Sequence, residues 1–327
     1  MVLENGYTLG FLGSGKMGTA VLAAAIAGAE AAKAQNLPDA IVPGRFVVSV
    51  RTAKSRVRLQ ERFGDKVTVV TDNQKVIDES NVVVLGFKPY MAQDILNRLH
   101  YSHFTILISL LAGTSIESIR QFTSVNTFIV RATTNTAAQC GQGMTALSYQ
   151  GEYHPDSPIT LAVEWLFNQT GKFVMVEESK QDACVALCGS APAFTYLFME
   201  ALIDGAVKSG LPLETAQTMA AQVVLGAGHM AQVTGRHPAS LRGDVCTPGG
   251  TTINGLAILE DRAVRGAVIG ALDKATNISQ DIGRAANENT ASLDQARVAS
   301  HINLAEMAQQ ISISRRNTLN AARQPSL

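Results

Sequence analysis

The sequence predicts an α/β protein in which a doubly wound parallel sheet over residues 1–177 precedes an all-helical domain over residues 178–327. Three observations carry this. Short apolar runs alternate with helical-period segments as far as about Val176, the pattern of βαβ crossovers with helices on both faces of one sheet. Beyond Val176 come long helical segments with hardly a strand signal. The 327 residues also exceed the roughly 100–200 of one typical domain.

Tyr7 to Leu12 is a short apolar strand, followed by a Gly-rich turn and an Ala-rich helix from Met17 to Ala34. A long loop from Asn36 to Arg45, with two prolines and a glycine, leads to a β-branched strand over Phe46 to Val50. Helix Arg56 to Phe63, strand Val67 to Val70, helix Asn73 to Ser80 and strand Val82 to Phe87 follow, the last continuously apolar as a strand buried on both faces should be. Helix Met91 to Leu99, strand Thr105 to Leu110, helix Ser115 to Phe122 and strand Thr127 to Arg131 continue the alternation, and Lys172 to Val176 reads as the last strand. Pro192 suits the first turn of a helix reaching about Ser209, where Gly210 and Pro212 end it. A second helix, Leu213 to Val233, is closed by Gly235, and a third starts near Thr252. These helices lack a broad polar face, which is expected of helices buried in a core or against a second copy of the chain. A dimer is therefore expected, with Phe194, Leu197, Phe198 and Leu202 in its contact.

Composition narrows the function. Hydrophobic residues make up 46% and charged residues 17%, which again leaves apolar area for another subunit to cover. Twenty-seven basic and 27 acidic residues cancel, so no electrostatic footprint points to nucleic acid or an anionic membrane. No uninterrupted apolar stretch reaches the roughly 20 residues of a spanning helix, and no basic stretch precedes an apolar core at the start, so a cytoplasmic enzyme of small molecules is expected. Four cysteines are too few for a disulfide framework and are expected as reduced, buried thiols. Cys184 and Cys188 lie one helical turn apart without a histidine or second cysteine pair, so no metal site is expected.

The motif Gly13-Ser14-Gly15-Lys16-Met17-Gly18 matches G-x-G-x-x-G between a strand and a helix, the context that makes it informative. Gly13 permits the tight turn, Gly15 lets the backbone approach a pyrophosphate, and Gly18 allows close helix–strand contact, while the helix start attracts the anion. The sheet is then of Rossmann type. Gly10 and Gly15-Lys16 approach P-loop spacing, but Met17 offers a thioether where Mg²⁺ needs a hydroxyl. After the second strand stands Arg51, not the acidic residue that would hold a ribose 2′-hydroxyl, with Lys54, Ser55 and Arg56 near it. This favours a 2′-phosphate and hence NADPH, with NADH as the alternative, although Lys54 to Arg58 also fit a solvated helix face. Lys88-Pro89 closes a buried strand at the ligand-binding sheet edge. The Thr247-Pro248-Gly249-Gly250-Thr251-Thr252 loop presents free N–H groups at a helix start, suited to a carboxylate, or else is a plain connection with Thr251 as N-cap.

Several of these stretches together resemble the pyrroline-5-carboxylate reductase family from Gly10 to about Gly283. FLGSGKMG (11–18), VVVLGFKPY (82–90), ISLLAGTSI (108–116), RATTNTAAQCGQGMTAL (131–147), GSAPAF (189–194) and, most specifically, DVCTPGGTTINGLAILE (244–260) carry the resemblance. It implies NAD(P)H-dependent reduction of the cyclic imine 1-pyrroline-5-carboxylate in proline biosynthesis. Gly13 through Gly18 would bind cofactor phosphates, with Arg51 at the 2′ end. Asn73, Gly86, Phe87, Lys88, Pro89, Leu110, Leu111 and Ala112 would line the rest of the cofactor, with Asp244 near it. Glu178, Thr251 and Thr252 would meet the substrate, Thr252 nearest the reacting nitrogen. The helical domain would be a dimerisation domain, as in a family whose dimers assemble further into decamers. The chain departs from the family at Thr133-Thr134, which replace a Met-Pro pair, at Val185 for threonine, and at Ala191 and Phe194 for glycine and tyrosine, so related methylpyrroline or piperideine carboxylates remain alternative substrates. A β-hydroxyacid dehydrogenase would need a lysine on the first long helix of the second domain, where only Lys208 stands, at its far end. A non-catalytic dinucleotide sensor would not need the carboxylate loop.

Overall fold

The computed structural model describes residues 6–34 and 42–284; the expectations for residues 1–5, for most of the 36–45 loop and for 285–327 lie outside them. Among the described residues the sheet has eight strands: β1 (Thr8–Leu12), β2 (Arg45–Ser49), β3 (Thr68–Val70), β4 (Val82–Leu85), β5 (Thr105–Ser109), β6 (Thr127–Thr133), β7 (Gly143–Tyr149) and β8 (Gly171–Met175), in the order 3-2-1-4-5-6-7-8. The order reverses between β1 and β4, the switch point at which doubly wound sheets bind ligands.

The helices of the sheet domain are α1 (Lys16–Ala34), α2 (Ala53–Phe63), α3 (Asn73–Glu79), α4 (Ala92–Leu96), α5 (Ile116–Arg120) and α6 (Pro158–Thr170). Strand alternation sorts the core onto two faces. Leu9, Phe11, Val84 and Ile108 join Leu22, Trp165 and Phe167 of α1 and α6 on one side. Val83, Leu85 and Leu107 join Ile77, Leu96 and Ile119 of α3, α4 and α5 on the other.

The sheet is not wholly parallel. β7 pairs antiparallel with β6 and parallel with β8, so the last two strands run against the first six. Nine residues, 134–142, separate β6 from β7, among them a 3₁₀ turn, Thr136–Cys140, and a left-handed Gly141. That is too little chain for a parallel crossover, so the chain turns back on itself.

Past β8 the chain enters one helical run from Glu178 to Lys208, made of a 3₁₀ turn, α7 (Gln181–Cys184), a π-helical stretch Val185–Ser190 and α8 (Ala191–Lys208). Pro192 therefore lies inside a continuous helix and not at its start. It has no N–H to offer the Cys188 carbonyl four residues back, and the local bonding shifts so that Ala191 N–H reaches Ala186 O. Asn135 Nδ2 donates to the Cys188 carbonyl at 3.0 Å in its place.

Then come α9 (Leu213–Thr234), ended as expected by Gly235 in the left-handed region, α10 (Pro238–Asp244), α11 (Thr251–Asp261) and a helical run over 264–284. Leu197, Phe198 and Leu202 of α8 and Met219, Val223, Leu225 and Val233 of α9 are exposed. Phe194 is partly buried instead. Among the described residues, two helices are long and apolar enough to cross a membrane, Lys16–Ala34 and Glu178–Lys208, which the sequence reading did not expect. The first is half buried on the sheet face beside α6. The cysteines are unpaired as expected, but Cys140 is exposed and only Cys188 is buried.

Candidate active site

The phosphate loop joins β1 to α1 at the switch point. Gly13 has φ +80°, and a Cβ there would lie 3.2 Å from Phe87 N. Gly86, at the end of β4, faces it so closely that a Cβ on Gly86 would fall 2.7 Å from the Gly13 carbonyl. The two loops thus touch backbone to backbone and leave a cradle that side chains would fill. Ser14 is buried and shares a 2.8 Å hydrogen bond with Thr19, while Gly15 and Lys16 stand exposed at the start of α1. A helix start with open N–H groups and a lysine beside it suits a pyrophosphate.

A cleft of about 670 Å³ opens on the β2 side of this loop. Its walls include Gly13, Arg51, Asn73 and Phe87, so four of the expected cofactor residues meet there although they come from four different loops. Thr52, next to Arg51, caps α2 by accepting from Ser55 N–H at 3.2 Å, which fixes the turn bearing Arg51. Arg58, one turn further along α2, donates from Nη2 to the Ser14 carbonyl at 2.9 Å. A solvated helix face was the alternative reading for Lys54 to Arg58; Arg58 instead bridges α2 and the phosphate loop.

On the other side, Lys88 and Pro89 follow Gly86, with Lys88 exposed. Leu110, Leu111 and Ala112 form the turn after β5. Leu111 points its side chain into the core, so it offers only backbone to a ligand, whereas Ala112 is exposed. Ala112 lines a second cavity, of about 410 Å³, together with Val185, Ser190 and Phe194.

Glu178 begins the long helical run. Its Oε1 accepts from Ile116 N–H at 2.6 Å, at the start of α5, and lies 3.4 Å from Nη1 of the buried Arg131. Arg131 also faces Asp182 at 3.7 Å, and Ser279 Oγ donates to the same Asp182 oxygen at 2.7 Å. This chain of charges ties β6, α5, α7 and the 264–284 helix together behind the cavity. The Thr133-Thr134 departure lies beside it: Thr133 donates to the buried Gln181 side chain at 2.7 Å, and Thr134 accepts from Thr145 at 3.0 Å.

Thr251 and Thr252 open α11. Its N-cap is Gly250, not Thr251, and no side chain caps it, so the first-turn N–H groups stay available. Gly249 at φ +70° and the Gly250 N–H to Thr247 O bond of 3.0 Å make the tight turn before it. Asp244 ends α10 and pairs with Arg236 at 2.6 Å, whose hydrogen bond and charge hold its carboxyl below the ordinary value. Neither threonine nor Asp244 lines the cleft or the cavity of its own chain.

Comparison with known proteins adds the following. A family model described as pyrroline-5-carboxylate reductase dimerisation matches residues 178–282, and one described as NADP oxidoreductase coenzyme F420-dependent matches residues 8–113. A pyrroline-5-carboxylate reductase of Schizosaccharomyces pombe is 35% identical over 280 residues, covering 84% of this chain and 98% of that protein. The crystal structures of 1-pyrroline-5-carboxylate reductase from Streptococcus pyogenes match with a TM-score of 0.73 and 28% identity over 85% of this chain and 100% of theirs. A Plasmodium falciparum pyrroline carboxylate reductase with NADP bound gives a TM-score of 0.72 and 26% identity over 86% of this chain and 100% of its own.

Proposed function

The chain belongs to the pyrroline-5-carboxylate reductase family, and we propose from that premise that it reduces 1-pyrroline-5-carboxylate to proline with NADPH, each chain working beside a partner copy. The observation that carries the reading is the division of space at the switch point: a phosphate cradle with a cleft bearing Arg51 on the β2 side and an apolar cavity at the end of β5. A dinucleotide spans such a site with its adenosine half toward β2 and its nicotinamide half toward β4 and β5.

When bound, the reduced nicotinamide supplies a hydride to the imine carbon while the C=N pair passes to a nitrogen that keeps its proton. A protonated imine accepts hydride readily, so the residues act mainly by orientation. The Gly13–Gly18 loop, Asn73, Phe87 and the Gly86–Pro89 turn hold the cofactor in this reading, and Arg51 with Arg58 gives the 2′-phosphate its partners. Glu178 acts through the helix starts it ties together. Thr252 accepts the N–H of the protonated imine on its hydroxyl oxygen, and the open N–H groups of α11 face the carboxylate. Because α11 and Asp244 stand away from the cleft of their own chain, we assign them to the cleft of a partner, which also covers the exposed faces of α8 and α9. The same reading places the domain boundary at 177/178, the protein in the cytosol, and dimers as the unit from which a decamer can form.

The test is direct. Purified protein given 1-pyrroline-5-carboxylate should consume NADPH and form proline in equal amounts, faster than with a methylpyrroline or piperideine carboxylate. NADPH binding without turnover of any of the three would leave only a dinucleotide sensor.

A further inference from the structure

Glu178 and Asp182 stand four residues apart on one helical run, a spacing that sets two carboxylates side by side and destabilises a helix when both are charged. Arg131 answers them from β6. It pairs in the sheet with Ser109 of β5 and Ser148 of β7 and is only 5% exposed, with Nη1 3.4 Å from Glu178 Oε1 and Nη2 3.7 Å from Asp182 Oδ1. Each carboxylate also reaches a different element: Glu178 takes the Ile116 N–H at 2.6 Å, just after the 110–115 turn, and Asp182 takes the Ser279 hydroxyl at 2.7 Å, on the 264–284 helix. Both elements wall the cavity at the end of β5, the turn with Ala112 and Gly113, the helix with Ala275, Ile278 and Ile282. They touch at Gly113, where a Cβ would lie 3.0 Å from Ile282 Cγ2. Arg131 is not on those walls; it borders a smaller cavity of about 320 Å³, where Arg284 also stands, engaged by Asp281.

We propose that Arg131 is a positioning residue of the reductase, which fixes the separation of the 110–115 turn and the 264–284 helix by holding Glu178 and Asp182 at once; this rests on the imine-reductase reading above. In that reading the turn carries the nicotinamide half of the cofactor, and the helix limits how far the imine can stand from it. Hydride transfer needs the reacting atoms about 3–3.5 Å apart, and a displacement of about 1 Å costs on the order of a hundredfold. One guanidinium can serve both carboxylates because its donors fan out in a plane from a charge that it never loses. Without it, two partly buried like charges one helical turn apart repel each other. Each then pulls on its own wall, Glu178 on the start of α5 and Asp182 on the 264–284 helix. The hydrogen bonds to Ile116 and Ser279 remain, but the spacing they transmit is lost.

The experiment compares Arg131→Met, Arg131→Lys and the double variant of Arg131→Met with Asp182→Asn against the parent. Three quantities are read: imine reduction with NADPH, binding of adenosine 2′,5′-bisphosphate, which fills only the Arg51 side of the site, and hydrogen exchange by mass spectrometry. Arg131→Met should lower kcat by about ten- to a hundredfold. It should speed exchange in peptides from 111–120 and 271–284, while exchange in β1 to β4 and binding of the bisphosphate stay as in the parent. Arg131→Lys keeps the charge and should restore most of the protection. Asp182→Asn removes the repulsion while its amide oxygen still accepts from Ser279, so the double variant should recover about tenfold of kcat and slow exchange again in 271–284. Parent-like kcat and exchange in Arg131→Met would overturn the proposal. So would a loss of bisphosphate binding in step with kcat, the mark of general destabilisation, or a double variant no better than Arg131→Met alone. A parent that reduces no cyclic imine, with exchange responding as expected, would instead overturn the reductase reading and leave the tie between the two walls standing.

Discussion

Asn135 offers the sharpest test of how the long helix is held against the sheet. It is 7% exposed, its Nδ2 donates to the Cys188 carbonyl at 3.0 Å, and its Oδ1 accepts from Ala137 N–H at 3.0 Å. Asn135→Asp keeps the acceptor and removes the donor. The Cys188 carbonyl then loses the group that stands in for the absent Pro192 N–H, a cost of about 1–3 kcal/mol for a buried acceptor left without a partner. Asn135→Ala also removes the cap on the Thr136–Cys140 turn and should cost about 0.5–2 kcal/mol more. Urea unfolding at fixed protein concentration, followed by far-ultraviolet circular dichroism, should show a lower midpoint with an unchanged slope. Pro192→Ala supplies the missing N–H, so in that background Asn135→Asp should cost less, with a coupling of about 1 kcal/mol or more. The same cost in both backgrounds would show that the asparagine does not compensate for the proline.

Arg51→Asp should reduce the preference for NADPH over NADH by about ten- to a hundredfold, and Arg58→Ala should weaken NADPH binding more than NADH binding; equal Kd changes for both cofactors would exclude a 2′-phosphate role. Thr252→Ala should lower kcat and kcat/KM together by about ten- to a hundredfold while NADPH binding stays constant, and a rise in KM alone would move the threonine to the carboxylate. Sedimentation at micromolar concentration should give a dimer or a multiple of it, and Leu197→Glu with Leu202→Glu should shift the mass toward monomer, because both side chains are exposed on α8; a parent already monomeric would contradict this.

The first half of the sheet was legible because each strand buried on both faces is an apolar run and the glycines mark the phosphate turn. β7 escaped because Thr145, Ala146, Leu147 and Ser148 are all buried: with small and hydroxylated residues on both faces there is neither an apolar run nor alternation. α6 did carry a start signal, Ser157 as N-cap with Pro158 behind it, and it could have been found. The partner of the Cys188 carbonyl in the π-helical stretch was illegible, since it comes from Asn135, far away in the chain. Arg58 was missed for the same kind of reason: on its own helix it looks solvated, and only the fold brings Ser14 beside it.

The placement of the 264–284 helix has a consequence for the chain's birth on the ribosome. The sheet is complete in sequence once β8 has emerged, yet the turn at Gly113 meets Ile282 and Gly283, and Asp182 gains the Ser279 hydroxyl beside Arg131, only when these residues follow. At about 5–20 residues per second, that delay lasts roughly 5–20 s. Throughout it, Val185 and Phe194 lack the wall they face in the finished molecule. A ribosome stalled just after α8 should therefore display a folded sheet domain with a bare apolar helix, the kind of surface that chaperones bind, and release should come only with the 264–284 helix.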